Sequence, residues 1–111
     1  MSGSLFGIHG VALELRSQRM GLIASNIANA GTPGYKARDI DFAAALKASE
    51  SGAKNGADVL YRQPSMPSLD GNTVELANEQ VAFSENAVGY SATLSFIRGR
   101  VENITRALKG D

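Results

Sequence analysis

AVGYSATLSFIRGRVENITRAL, residues 87–108, decides the fold. Its apolar positions Ala87, Tyr90, Leu94, Ile97, Val101, Ile104 and Leu108 alternate steps of three and four. That alternation is the heptad spacing of a helix sharing a seam with another helix. With Val81 and Phe83 upstream, the spacing predicts a helix over residues 77–109, a rod of about 50 Å. Glu75, Glu79 and Glu85 come early, and Arg98, Arg100, Arg106 and Lys109 come late, an order that complements the helix dipole. Gly110 stands where a C-cap glycine belongs.

A second amphipathic helix is read at the other end. Ile8, Ala12, Leu15, Arg19, Leu22, Asn26 and Asn29 keep the same spacing, and Leu5, Val11, Ile23 and Ile27 widen the stripe. The helix is expected over residues 5–28, about 36 Å long, with Gly31, Pro33 and Gly34 stopping it. Asn26 and Asn29 carry two readings. Either they set register as buried amides in a helix seam, or they cap the helix end. Ser17, Gly21 and Ser25 form one row of small residues, with Ala24 and Ala28 beside it, open to close approach by another backbone.

Between the helices, residues 31–76 read as a mostly irregular middle. Asp41–Ala48 is expected to form a short helix with Asp41 as N-cap, and residues 49–58 a loop of small polar residues. Val59–Arg62 suits a short strand, and Asp70-Gly71 a turn closing a hairpin with Thr73-Val74. Pro33 and Gly34 fit the central positions of a type II turn. The architecture expected is thus mainly α. Two long terminal helices form an antiparallel hairpin or coiled coil, within one domain spanning residues 1–111.

Composition removes most chemistry. The chain has 111 residues, no Cys, no Trp, one His and a net charge of zero. Disulfides, thiolate metal sites and cysteine nucleophiles are therefore absent, and nothing points to nucleic acid or anionic lipid. His9 has no second imidazole to join it. Asp39 and Asp41 read best as solvated charge, and Ser84, Glu85 and Ser91 form no triad. The glycine-rich run at residues 3–10 lacks the lysine of a phosphate loop. Neither a catalytic residue, a metal ligand nor a cofactor site is expected, and no small-molecule substrate.

Much of the 43% hydrophobic share is alanine, so a core built by this chain alone is marginal. Gly21, Gly89 and Gly99 inside the helices each cost about 1 kcal/mol relative to alanine. The stripes are expected to stay incomplete until another polypeptide covers them. Burial would come from Ile8, Leu15, Leu22, Leu94, Ile97, Val101, Ile104 and Leu108. A cytosolic helical adaptor that self-associates is one class of protein consistent with these features.

The run ASNIANAGTPGYK, residues 24–36, resembles the signature of the bacterial flagellar rod and hook family. Three further stretches are similar to its proximal-rod branch: ARDIDF (37–42), PSLDGNTVE (67–75) and FSENAVGYSATL (83–94). On this resemblance Thr32, Pro33, Gly34 and Tyr35 form the turn leaving the first helix. The resemblance implies a structural subunit of the basal body without enzymatic activity or cofactor. It implies export by the flagellar type III apparatus without a cleaved signal, and assembly in the periplasm. There the terminal helices would pack with copies of this chain and other rod proteins into a hollow tube. The adaptor at the rod base and the membrane ring or export gate would be its neighbours.

Overall fold

The computed structural model describes residues 7–52 and 58–110. The expected helix start at Leu5, residues 53–57 of the expected loop and Asp111 lie outside the described residues. Five elements follow in order: α1 (Ile8–Ala28), β1 (Arg38–Ile40), α2 (Phe42–Glu50), β2 (Val59–Tyr61) and α3 (Leu76–Lys109). α1 and α3 form an antiparallel hairpin, since Asn26 meets Glu79, Arg16 meets Asn86, and the His9 ring lies 4.2 Å from that of Phe96. The molecule measures 65 × 26 × 17 Å.

Local chemistry explains the boundaries. Asp41 caps α2 by accepting the Ala44 N–H at 3.1 Å. α2 runs on to Glu50 rather than ending at Ala48, so the expected loop begins at Ser51. At the end of α1, the Asn29 side chain donates to the Ser25 carbonyl at 2.9 Å. The chain then turns over Thr32–Tyr35, with the Tyr35 N–H on Thr32 O and Gly34 at φ 76°. These are the features of a type II turn, and glycine enters the required positive φ without steric cost. Gly110 closes α3 in the left-handed conformation at φ 77°.

The face that α3 turns to α1 differs from the apolar stripe. Glu79, Ala82, Asn86, Gly89 and Phe96 make that face, through burial or direct contact with α1. The apolar series Tyr90, Leu94, Ile97 and Ile104 lies one residue further round and is only half-buried, while Val101 and Leu108 are exposed. One residue is about 100° of rotation on a helix. Small and polar residues, with Phe96 against His9 at the far end, therefore hold α3 on α1. Its greasy stripe flanks that contact.

The expected hairpin at Asp70-Gly71 does not form. β2 pairs instead with β1, antiparallel, with Arg38 opposite Tyr61 and Ile40 opposite Val59. Thr73 is engaged elsewhere: its N–H goes to Tyr35 O at 2.9 Å, and its hydroxyl accepts the Ala37 N–H at 2.8 Å. The segment that β2 would have used is already bonded to the chain leaving α1. Asp70-Gly71 is still a turn, with Gly71 at φ 78°.

The helix glycines divide by surroundings. A Cβ on Gly89 would stand 2.5 Å from Nη1 of Arg16, whose guanidinium lies 4.1 Å from the Phe42 ring centre. A Cβ on Gly99 would meet nothing within 4 Å. Gly99→Ala is therefore expected to stabilise the chain by about 0.5–1 kcal/mol, read as a higher urea midpoint. Gly89→Ala should gain less, because Arg16 must leave its seat over Phe42.

Candidate functional site

A polar junction lies where α1, β1, β2 and α3 meet. Asn26 and Glu79 are both 0% exposed. The Asn26 amide donates to Arg38 O at 2.8 Å and accepts the Arg38 N–H at 3.0 Å. The same Nδ2 also reaches Oε1 of Glu79 at 2.9 Å. Arg62, just after β2, bonds Glu79 with one guanidinium nitrogen and Asp39 with another. Arg19 of α1 completes the chain, with two hydrogen bonds to the Asp39 carboxylate at 2.9 and 3.1 Å.

Two guanidinium groups and two carboxylates thus balance in a partly dehydrated layer. Burial pushes the Asp39 carboxyl up, but hydrogen bonds from Arg19, Arg62 and the Ile40 N–H outweigh it and hold the group below the usual carboxylate range. The apolar residues buried around this layer are Ile23, Ala37, Ile40 and Ala82. Asp39 is therefore not the solvated charge expected. Nor is Glu79 a helix-end ornament, since it faces α1.

A second amide ties the two chain connections together. Nδ2 of Asn72 donates to the carbonyls of Asn29, Ala30 and Thr32 at 2.9, 3.1 and 2.7 Å. Its Oδ1 accepts the Val74 N–H at 2.7 Å. Close by, Gly34 N–H donates to Asp70 O, Lys36 Nζ to Gly71 O, and Tyr35 and Ser25 share a hydroxyl–hydroxyl bond at 2.9 Å. That bond to Ser25 holds the Tyr35 phenol below its usual range, against a smaller opposing effect of burial.

The residues singled out by spacing are distributed as follows. Leu15 and Asn26 are buried; Ile8, Leu22, Asn29, Leu94, Ile97 and Ile104 are half-buried; Val101 and Leu108 are exposed. Of the turn, Thr32, Pro33 and Gly34 are exposed and Tyr35 is half-buried. Asn29 caps the helix end, whereas Asn26 binds a strand. Spacing did not reveal Arg19, Asp39, Arg62 and Glu79 as a network, or Asn72 as a clamp. One signal was present: Glu79, Ala82, Asn86 and Gly89 also alternate three and four.

An open apolar groove of about 360 Å³ runs beside the helix pair, lined by Ser17, Met20, Gly21, Ala24 and Tyr90. It joins the small-residue row of α1 to the apolar stripe of α3. No reactive constellation accompanies it. Among the described residues no three His, Cys, Asp or Glu side chains gather as metal ligands, and no helix is long and apolar enough to cross a membrane.

Asn26→Ala strands a strand N–H, its carbonyl and a buried carboxylate oxygen, and each such loss costs about 1–3 kcal/mol. The variant is expected to lose about 3 kcal/mol or more in urea unfolding. Asn72→Asp, nearly identical in shape, sets a carboxylate against three carbonyls. It should lower stability more at pH 7 than at a pH where the new acid is protonated, measured by the same titration.

A family profile described as Flagella basal body rod protein matches residues 7–36, which cover α1 and the turn after it. Flagellar basal body rod protein FlgB of Cereibacter sphaeroides is 47% identical, over 95% of this chain and 94% of its own length. The proteins of that name from Proteus mirabilis and Salmonella typhimurium are 39% and 38% identical, each across 88% of its own length. The matches to these two cover 88% and 89% of this chain. The location these names carry is the flagellar basal body, and the role is structural rather than enzymatic. With nearly its whole length matched at these identities, this chain belongs to the flagellar basal body rod protein FlgB family.

Proposed function

We infer that this rod subunit builds the proximal rod by seating a terminal helix of another rod subunit in the groove between α1 and α3. One observation carries the reading: on α3 the face toward α1 is mainly small and polar, so most of its apolar stripe is left for a neighbour. The α1 side of the groove is made of Ser17, Gly21 and Ala24, small enough for a helix backbone to come close, together with the pliable side chain of Met20. Val101 and Leu108, 42% and 83% exposed, continue the stripe beyond the residues that pair with α1. Full cover of such side chains is worth about 1.5–3 kcal/mol each.

On this reading Ile8 and Leu22 act from α1, and Leu94, Ile97, Val101, Ile104 and Leu108 act from α3, while Leu15 is already buried within the chain and supports the face from behind. Asn26, Asn29 and the turn Thr32–Tyr35 hold the α1 end in the shape a neighbour meets. The subunit works as one domain, in contact with further copies, other rod proteins, the rod-base adaptor and the ring or export gate. It reaches the periplasmic rod through the flagellar export apparatus without a cleaved signal.

Two variants separate assembly from folding. Leu108→Asp alters a side chain exposed in the lone chain, so its thermal melting should match the parent, while basal bodies purified from the complemented strain should lack the variant. Gly21→Leu should leave the helical circular dichroism intact but abolish swimming, because the added side chain fills the groove. Normal incorporation of both variants would refute the groove as the seat.

A further inference from the structure

We propose that Asp39 is the keystone of a charge latch, through which the β-ribbon and its turns undock as a unit from a helix pair that stays folded. The inference is independent of what fills the groove. It rests on how unevenly the attachments are made.

The ribbon is tied to itself first. β1 pairs with β2, Arg62 N–H bonds Ala37 O, Ala37 N–H bonds the Thr73 hydroxyl, and Thr73 N–H bonds Tyr35 O. Its attachment to the helices is different in kind. Among its described residues only Ala37 and Ile40 are buried apolar side chains. The remaining hold is Asn26 on the Arg38 peptide, the ties of Tyr35 to Ser25 and of Phe42 in α2 to Arg16, and the ionic chain from Arg19 through Asp39 and Arg62 to Glu79. The helix pair has contacts that do not pass through this layer, from Asn86 to Arg16 and from Phe96 to His9. Asn72 joins the two chain connections, Asn29–Thr32 and Val74, so a hinge remains when the latch opens.

Asp39 is the member that receives most. Its carboxylate accepts from Arg19 of α1, from Arg62 beyond β2 and from the Ile40 N–H. Glu79 of α3 is reached through Arg62, Arg38 is its neighbour on β1, and the exposed Asp41 caps α2. Neutralising Asp39 leaves two guanidinium groups facing a single carboxylate. A surplus positive charge in a partly dehydrated layer is unfavourable, and moving the ribbon into water relieves it. Because the folded-state pKa lies below its ordinary value, the latch is complete above the usual carboxylate range. It is lost as pH falls through the depressed value.

Hydrogen exchange on the full chain tests this, read as protection factors so that intrinsic rates cancel. In Asp39→Asn at neutral pH, the amides of Ala37, Arg38 and Arg62, none bonded to Asp39, should lose at least tenfold in protection. The amides of Leu15, Ile23 and Ala82 in the helices should change by less than twofold. The parent chain taken from pH 7 to pH 2 should lose ribbon protection before helix protection, and Asp39→Asn should lack that step. Parallel loss in ribbon and helices, an unchanged ribbon, or a chain without protected amides at neutral pH would each overturn the latch.

Discussion

One primary amide organises this molecule. A strand of three residues has two edges, and β2 covers only one of them. Asn26 covers the other by giving the Arg38 peptide a donor and an acceptor, as a neighbouring strand would. Such a short pair of strands is not stable alone in water. It persists here because a helix side chain stands in for the missing strand and because the spare hydrogen on the same amide fastens Glu79 of α3. An apolar residue at this position would bury well, yet it would leave a peptide unpaired inside the protein. α1, the ribbon and α3 all converge on that one group.

The same reasoning explains why the helix pair uses so few apolar contacts. Glu79 and Asn86 occupy the inner face of α3 at 0% and 1% exposure, positions where an ordinary coiled coil places Leu or Ile. Glu79 is satisfied by Arg62 and Asn26, and Asn86 donates to the backbone carbonyl of Arg16 at 2.8 Å. Directional bonds fix where α3 lies along α1. Much of the apolar surface of α3 stays half-buried or exposed, on Tyr90, Leu94, Ile97, Val101 and Leu108.

The helices were legible in the sequence because their causes are local. Spacing, an acidic N-cap at Asp41 and glycines at Gly34 and Gly110 each act within a few residues, and the elements formed around them. The ribbon was legible only in part. Val59–Tyr61 reads as a strand from its side chains, but its partner was settled by Thr73 and Asn72, which bind residues some forty positions earlier. The charge network was hidden for a similar reason. Arg19, Asp39, Arg62 and Glu79 sit about twenty residues apart, and a charge looks solvated until its counter-charge is known to be near. The apolar stripe of α3 was expected to stay incomplete within one chain, and its members are half-buried or exposed, whereas the residues that face α1 were not singled out as a face. A heptad pattern says that a face is covered, not by which helix.

The tyrosines fall in three distinct settings. Tyr35 shares a bond with Ser25 at the exit of α1, Tyr61 stands 68% exposed on the ribbon, and Tyr90 lines the groove. With no tryptophan in the chain, their ultraviolet signals are not swamped by a stronger emitter. The molecule thus carries three built-in optical probes, one for the exit of its first helix, one for its ribbon and one for its groove. Single Tyr-to-Phe replacements would assign each signal without attaching any dye.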